Sequence, residues 1–295
     1  MEFEDDTIRV TTTHVPLGVV GAICPWNFPL VLAMAKIAAA LVTGNTIIVK
    51  PSPYTPYSTL KFAEFAIKVL PHGVFQSLNG DSDLGEYMTL HPGIQKISFT
   101  GSTRTGKRVM ENCAKTLKRI TLELGGNDAS IVLPDVDINK VAPQVATGCF
   151  FNSGQMCVAT KRVYVHESIY ESFKEKFVES VQGIPLAKDS DVPTIIGPLQ
   201  NKMQNTIVQR IIQDSKINGY KFILGGDICS GNGYFIQPCV IDNPPDSSIV
   251  VQEEQFGKIL LVIECLGCLE CTRMEIDNLL ILLLRSDRSF AVLVL

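Results

Sequence analysis

Several things are scarce in this sequence, and each scarcity removes a class of protein. Four histidines stand among 295 residues (His14, His72, His91 and His166). They show no ligand spacing and read as structural. No basic excess exists: 26 Lys and Arg face 30 Asp and Glu, for a formal net charge of −4. That balance argues against nucleic acid as a partner, and no acidic tail forms a solvated arm. Long apolar runs are missing too. The longest near the end, Leu279 to Leu284, is far too short to span a bilayer and is followed by Arg285, Asp287 and Arg288. The opening MEFEDDTIRV is acidic and carries no apolar stretch of the secretory kind. Nine cysteines, an odd number unevenly spread, do not make a disulfide scaffold. A soluble, cytoplasmic chain with reduced thiols is expected, with no membrane partner.

What is present is a 46% hydrophobic chain, enough for one large domain or two modest ones. Strand-like and helix-like patterns alternate. TIIVKPS (Thr46 to Ser52) is a β-branched run closed by prolines, and Thr55 to Leu70 shows helical spacing through Leu60, Phe62, Phe65, Ala66 and Val69. Val74 to Gly80 reads as a strand, Ser82 to Leu90 as a helix, Lys96 to Ser102 as a strand, Thr103 to Lys115 as a helix and Arg119 to Gly126 as a strand. Such alternation predicts an α/β fold with a parallel, Rossmann-like sheet and helical crossovers. Ligands bind such sheets at the carboxyl ends of the strands, so the loops after Lys50, Thr100 and Leu124 should line a site. From about Gly125 the pattern changes. A strand is predicted at Ala129 to Leu133, another at Arg162 to His166, and helices near Ile138 to Phe151 and Ser168 to Val181. The expected organisation is a cofactor domain over 1–124, a partial α/β catalytic domain over 125–264, and a tail over 265–295 whose apolar blocks show no clear period.

Single motifs leave alternatives open. GSTRTGK (Gly101 to Lys107) has phosphate-loop spacing, but Arg108 stands where Ser or Thr would hold magnesium, which disfavours a nucleoside triphosphatase. The segment is either an ordinary turn or a helix start whose free N–H groups hold a phosphate. Cys157 is either a small buried hydrophobe or a nucleophile. Glu123, before two glycines, could be a plain surface carboxylate. Asn27, in PWNFP, could be a turn former or a fixed hydrogen-bond donor. Cys265, Cys268 and Cys271 are spaced CxxCxxC, but no fourth ligand is near, and no metal site is expected.

The order of the motifs is more specific than any one of them. PWNFP (Pro25 to Pro29), IVKPS (Ile48 to Ser52), FTGST (Phe99 to Thr103), LELGGN (Leu122 to Asn127), FNSGQMC (Phe151 to Cys157), GYFIQP (Gly233 to Pro238) and EEQFG (Glu253 to Gly257) follow one another along the chain. This series resembles the NAD(P)-dependent aldehyde dehydrogenase superfamily from about Val10 to Glu264. The resemblance implies oxidation of an aldehyde to a carboxylic acid. Cys157 would be the nucleophile, forming first a thiohemiacetal and then a thioester. Asn27 would hold the oxyanion with the nucleophile's own N–H, and Glu123 would activate the water that releases the acid. NAD or NADP would lie along Ile23, Pro25, Trp26, Lys50 (adenosine ribose), Gly101, Ser102 (pyrophosphate), Gly125, Glu254 (nicotinamide ribose) and Phe256 (beside the ring).

The sequence departs from the family at several points. Pro53 replaces a glutamate that would repel the 2′-phosphate of NADP, so the choice of coenzyme stays open. Lys258 replaces the proline usual after EEQFG. Full-length members begin earlier and continue beyond Glu264, so the chain is expected to be truncated at both ends. The bridging hairpin through which members form homo-oligomers is then absent. Residues 265–295 are expected to derive from an altered reading frame, a missed splice junction or a gene in decay. The alternative function is an impaired or inactive remnant that at most binds. A reductase acting on an acyl phosphate or acyl-CoA is a third reading, opposed by Glu123, whose role is hydrolysis.

Overall fold

The computed structural model describes residues 2–187, 194–227, 233–266, 280–284 and 290–294. Cys268 and Cys271 of the CxxCxxC run lie outside these residues. The chain divides into two compact units, Met1–Leu124 and Gly125–Leu295.

The first unit begins with a small antiparallel pair, β1 (Glu2–Glu4) and β2 (Arg9–Thr11). Its turn is held by Asp5, whose carboxylate accepts from the N–H of Thr7 (2.8 Å) and of Ile8 (2.7 Å). The rest is a strand–helix series: β3 (Val19–Ile23), α1 (Pro29–Val42), β4 (Thr46–Lys50), α2 (Tyr57–Ala66), β5 (Phe75–Ser77), α3 (Ser82–Leu90), β6 (Lys96–Thr100), α4 (Thr103–Ala114) and β7 (Arg119–Glu123). All five sheet strands are parallel, in the order β5-β4-β3-β6-β7. The chain winds outward from β3 to β5 and then returns to the other side of β3 with β6. The two carboxyl ends that flank this reversal belong to β3 and β6.

Alternation along each strand separates the two faces. Val20, Ala22, Ile47 and Val49 pack against Ala33, Ile37, Ala40, Ala63 and Ala66 of α1 and α2. Ile97 and Phe99 face the other way, with Met88, Val109 and Cys113 of α3 and α4. Helix α1 is apolar and small on nearly every side, as suits a helix pressed onto a sheet, and begins with Pro29 in its first turn, where a missing N–H costs nothing.

The second unit carries β8 (Ala129–Val132), α5 (Ile138–Phe150), β9 (Arg162–His166), α6 (Tyr170–Gln182), α7 (Lys202–Ile217), β10 (Lys221–Leu224), β11 (Cys239–Asp242), α8 (Ile249–Gln252), β12 (Ile259–Cys265), β13 (Leu280–Leu284) and β14 (Phe290–Val294). Single 3-10 turns follow α5 (Phe151–Gly154) and precede α6 (Glu167–Ile169). Its seven-stranded sheet runs β10-β11-β12-β9-β8-β13-β14, with only the outer pairs β10–β11 and β13–β14 antiparallel. Segments of the tail therefore enter this sheet, β13 lying parallel to β8.

One face of the sheet buries Val132, Val163, Val165, Leu260 and Val262 against α5 and α6, where Phe173 and Phe177 are fully enclosed. The other buries Ile131, Tyr164, Leu261 and Ile263 against Val208, Ile211 and Ile212 of α7 and Val250 and Val251 of α8. Removing either enclosed phenylalanine side chain would cost about 3–5 kcal/mol. Among the described residues, no helix is long and apolar enough to cross a membrane, and no group of three or more His, Cys, Asp or Glu side chains is placed to hold a metal ion.

Candidate active site

In the first unit the named residues gather at the carboxyl ends of the parallel strands. Ile23 ends β3, and Pro25, Trp26 and Asn27 form the turn into α1, all half-buried. The turn is tied to the next strand by a backbone bond from the N–H of Cys24 to the carbonyl of Lys50 (3.0 Å). Lys50 ends β4 and is buried, with 5% of its surface exposed. Its stem lies against the first turn of α3: a Cβ placed on Gly85 would meet Lys50 Cδ and Cε at 3.9 Å. Its ammonium reaches Pro51 O at a long 3.5 Å. Burial pulls it below the ordinary lysine range, against the opposing charges of Asp81 and Cys24.

Ser102 caps α4, accepting the N–H of Thr105 (3.3 Å), and is exposed at the start of a twelve-residue helix. Gly101 precedes it. A Cβ there would sit 2.6 Å from the ring of Phe99, so any larger residue would have to push that buried ring aside. Glu123 ends β7, exposed, and its backbone carbonyl accepts the N–H of Gly101 (3.1 Å).

Two residues that sequence reasoning passed over join this cluster. Lys36 rises from α1 and donates to Thr100 Oγ1 (2.7 Å). Burial lowers its pKa, while the charges of Cys24 and Glu123 oppose that shift. A signal was available in the sequence: Lys36 is the only charged residue in PLVLAMAKIAAALV. Neighbouring Cys24 is pushed up to about 11 by burial, against the pull of Lys36 and Lys50.

In the second unit Cys157 follows a strained turn. After α5 the chain passes through Asn152 (φ 50°), Ser153 (φ 61°) and Gly154 (φ 71°), three left-handed residues in succession. Each of the two non-glycine residues costs about 1–2 kcal/mol in that conformation. The structure offsets this with fixed partners. Ser153 donates its N–H to Ile195 O (3.1 Å) and its hydroxyl to Gly197 O (2.9 Å). Buried Gln155 donates to Asn152 O (3.1 Å) and accepts the N–H of Gln200 (2.9 Å). The turn leaves Cys157 half-exposed, unlike Cys24, Cys113, Cys149, Cys239 and Cys265, which are buried.

The EEQFG segment is braced in the same way. Gln204 of α7 donates to Gln255 O and Phe256 O, both at 3.0 Å. Phe256 itself has φ 45°. Lys258, at the proline position, is fully buried and donates to Ile236 O (2.8 Å). Glu254 stands over Gly125, so close that a Cβ on Gly125 would meet its Oε2 at 2.0 Å. Burial raises the Glu254 pKa, while Lys161 and the N–H of Gly126 pull it back. Glu254 Oε1 is buried and lacks a hydrogen-bond partner.

Each unit offers features that suit part of a dinucleotide. In the first, the ammonium of Lys50, at a long 3.5 Å from Pro51 O, and the N-terminus of α4 suit hydroxyl and phosphate groups. In the second, Glu254 Oε1, buried and without a hydrogen bond, suits a ribose hydroxyl.

A parallel α/β unit with functional candidates at its strand ends is built as nucleotide-binding folds are. A second unit that presents one half-exposed cysteine on a strained turn narrows the class further. The chain matches the model of the aldehyde dehydrogenase family over residues 1–275, and it belongs to that family. The match continues past Glu264, where the resemblance read from the sequence ends. The FUS7 protein of Gibberella fujikuroi is 47% identical over 261 residues, which are 88% of this chain and 55% of FUS7. The solved aldehyde dehydrogenase of Mycobacterium tuberculosis, complexed with NAD+, superposes with a TM-score of 0.88 at 36% identity, covering 92% of this chain and 58% of that one. A mutant of aldehyde dehydrogenase C from Pseudomonas syringae, complexed with NAD+ and octanal, gives the same TM-score at 32% identity and the same coverage of each chain. The chain thus spans about half the length of the curated relatives it matches.

Proposed function

We propose that this chain carries the nucleophile and coenzyme site of an NAD(P)-dependent aldehyde dehydrogenase. The observation that carries the reading is Cys157: half-exposed, and held on a turn whose strain is fixed by partners on both sides. Strain maintained by surrounding structure is the mark of a positioned group.

The Cys157 thiolate attacks the aldehyde carbon and forms a thiohemiacetal. Its oxyanion is held by the Asn27 side chain and the N–H of Cys157. When bound, the oxidised nicotinamide coenzyme supplies a hydride acceptor, and the carbon left on sulfur is a thioester. Glu123 takes a proton from water as the water adds to that carbonyl; the carbon–sulfur bond breaks and frees the carboxylic acid and the thiolate. Lys36, bonded to Thr100 Oγ1, brings a positive charge near Glu123. Lys50, Ser102 and the start of α4 hold the adenosine and pyrophosphate end, and Glu254 and Phe256 hold the nicotinamide riboside. A small-molecule aldehyde is the substrate, and the coenzyme is NAD or NADP, since proline at position 53 supplies no carboxylate against a 2′-phosphate.

The test is NAD(P)H formation by purified protein with a panel of aldehydes, for the wild type and Cys157→Ala. Turnover in the wild type, lost in the variant, is expected. A folded wild-type protein without turnover leaves the binding-remnant reading in its place, and an acyl-CoA product would instead revive the reductase.

A further inference from the structure

Lys161, four residues after Cys157, has no part in the chemistry described above, yet it is among the most deeply buried cations in the second unit, with 3% of its side chain exposed. Its ammonium has three hydrogens and uses all of them. One goes to Cys157 O (3.0 Å), one to Ala159 O (3.0 Å) and one to Asp128 Oδ2 (3.2 Å). Beyond these, Glu254 Oε1 lies 3.6 Å away, too far for a hydrogen bond but well placed for ion pairing. One charge thus stands between the backbone of the nucleophile turn and the carboxylate assigned to the nicotinamide ribose. An ammonium this enclosed is not a surface ornament. Without it, the Asp128 and Glu254 carboxylates would repel each other with less positive charge between them.

We infer that Lys161 is a positioning residue, whose ammonium fixes the carbonyl of Cys157 and the carboxylate of Glu254 to one point so that nucleophile turn and coenzyme loop keep a set spacing. The inference rests on the roles proposed above for Cys157 and Glu254. The two tasks use different properties of the side chain. Holding Cys157 O and Ala159 O needs donors, whereas holding Glu254 as a carboxylate needs charge. Three further groups bear on that charge: Asp128 shares it and repels Glu254, Arg162 adds to the positive side of Asp128, and buried Cys149 on α5 feels it.

The experiment separates donor from charge with Lys161→Gln, Lys161→Met and Lys161→Arg in the full chain. Two quantities are read: the dissociation constant for NADH by fluorescence titration, and the rate of Cys157 alkylation by iodoacetamide by peptide mass spectrometry. Lys161→Met should weaken NADH at least tenfold and change the alkylation rate severalfold. Lys161→Gln should weaken NADH similarly but keep the alkylation rate near wild type, and Lys161→Arg should recover NADH binding in large part. Adding Glu254→Gln to Lys161→Met should weaken NADH no further than the worse single variant, because coupled groups are not additive. Additive losses, or a Gln variant that behaves like Met in both readouts, overturn the inference. A wild type that binds no NADH overturns the functional reading instead, and the alkylation series still decides whether Lys161 sets Cys157. If Lys161→Met fails to fold, Lys161→Gln against Lys161→Arg tests the charge through NADH binding, and an alkylation rate in Lys161→Gln far from wild type overturns the inference.

Discussion

Gly154 and Gly257 meet backbone to backbone: a Cβ built on Gly154 would lie 2.2 Å from the carbonyl oxygen of Gly257. The nucleophile turn and the EEQFG segment thus touch at a place where no side chain fits. Gly154→Ala should therefore act on both. It forces a left-handed alanine and a steric overlap, and the expected loss is about 3 kcal/mol of stability. Any displacement of Cys157 by about an ångström should add roughly a hundredfold loss of turnover in the fraction that folds. Thermal unfolding and steady-state rates on the same preparation measure the two effects.

Cysteine chemistry should be selective. Of the six described cysteines, only Cys157 is not buried. Burial pushes Cys24 and Cys239 up to about 11, raises Cys113, and raises Cys149 well above the ordinary thiol range. Brief iodoacetamide treatment of native protein at mildly alkaline pH, followed by peptide mapping, should modify Cys157 before the other five. Earlier labelling of Cys24 or Cys149 would contradict the described packing.

Coenzyme choice should respond to one position. Pro53 is exposed just after the buried Lys50 and Ser52. Pro53→Glu places a carboxylate where a 2′-phosphate would be held, and the ratio of kcat/KM for NAD over NADP should rise at least tenfold, a difference of about 1.4 kcal/mol. An unchanged ratio would mean that the adenosine ribose lies elsewhere.

Acid stability should trace to Asp242. Burial alone would raise its pKa, but hydrogen bonds from Lys221, Tyr170 and Lys174 outweigh that and hold it below the ordinary aspartate value. A carboxylate depressed in the folded state adds stability above its unfolded value of ~3.9 and loses it as pH falls through the folded value. Asp242→Asn should cost about 3 kcal/mol near neutral pH, because it leaves Lys174 partly unpaired. It should also flatten the loss of stability below about pH 4. Urea unfolding across that range is the measurement.

The sheet strands β4, β6, β7 and β8 were legible because their runs end close to Gly or Pro, β9 because Val163, Tyr164 and Val165 form a strand-favouring run, and α3 was legible to the residue. The central strand β3 was not marked. Val19–Ile23 is short, interrupted by Gly21, and flanked by further apolar residues, so it has no visible edges. Helix α1 escaped for a related reason: a helix with almost no polar face has no period to read. The proposed site residues stand out in the sequence as an ordered set of motifs, never singly. Their partners were not. Lys161 sits in an unremarkable VATKR, and only the fold brings Asp128 and Glu254 to it. The left-handed turn was also hidden, since Ser153 is not a residue that announces a positive φ.

Strand β8 takes β9 on one side and β13 on the other, and the β13 partner comes late. On the ribosome, residue 132 emerges about 150 residues before residue 284, a delay of roughly 10–30 s at ordinary elongation speeds. Throughout that interval one edge of β8 has no neighbour of its own chain. Birth is thus the vulnerable moment for this sheet: a nascent strand with open amides invites pairing with other chains. The yield of soluble protein should depend on how fast β13 follows β8, more than on the stability of the finished sheet.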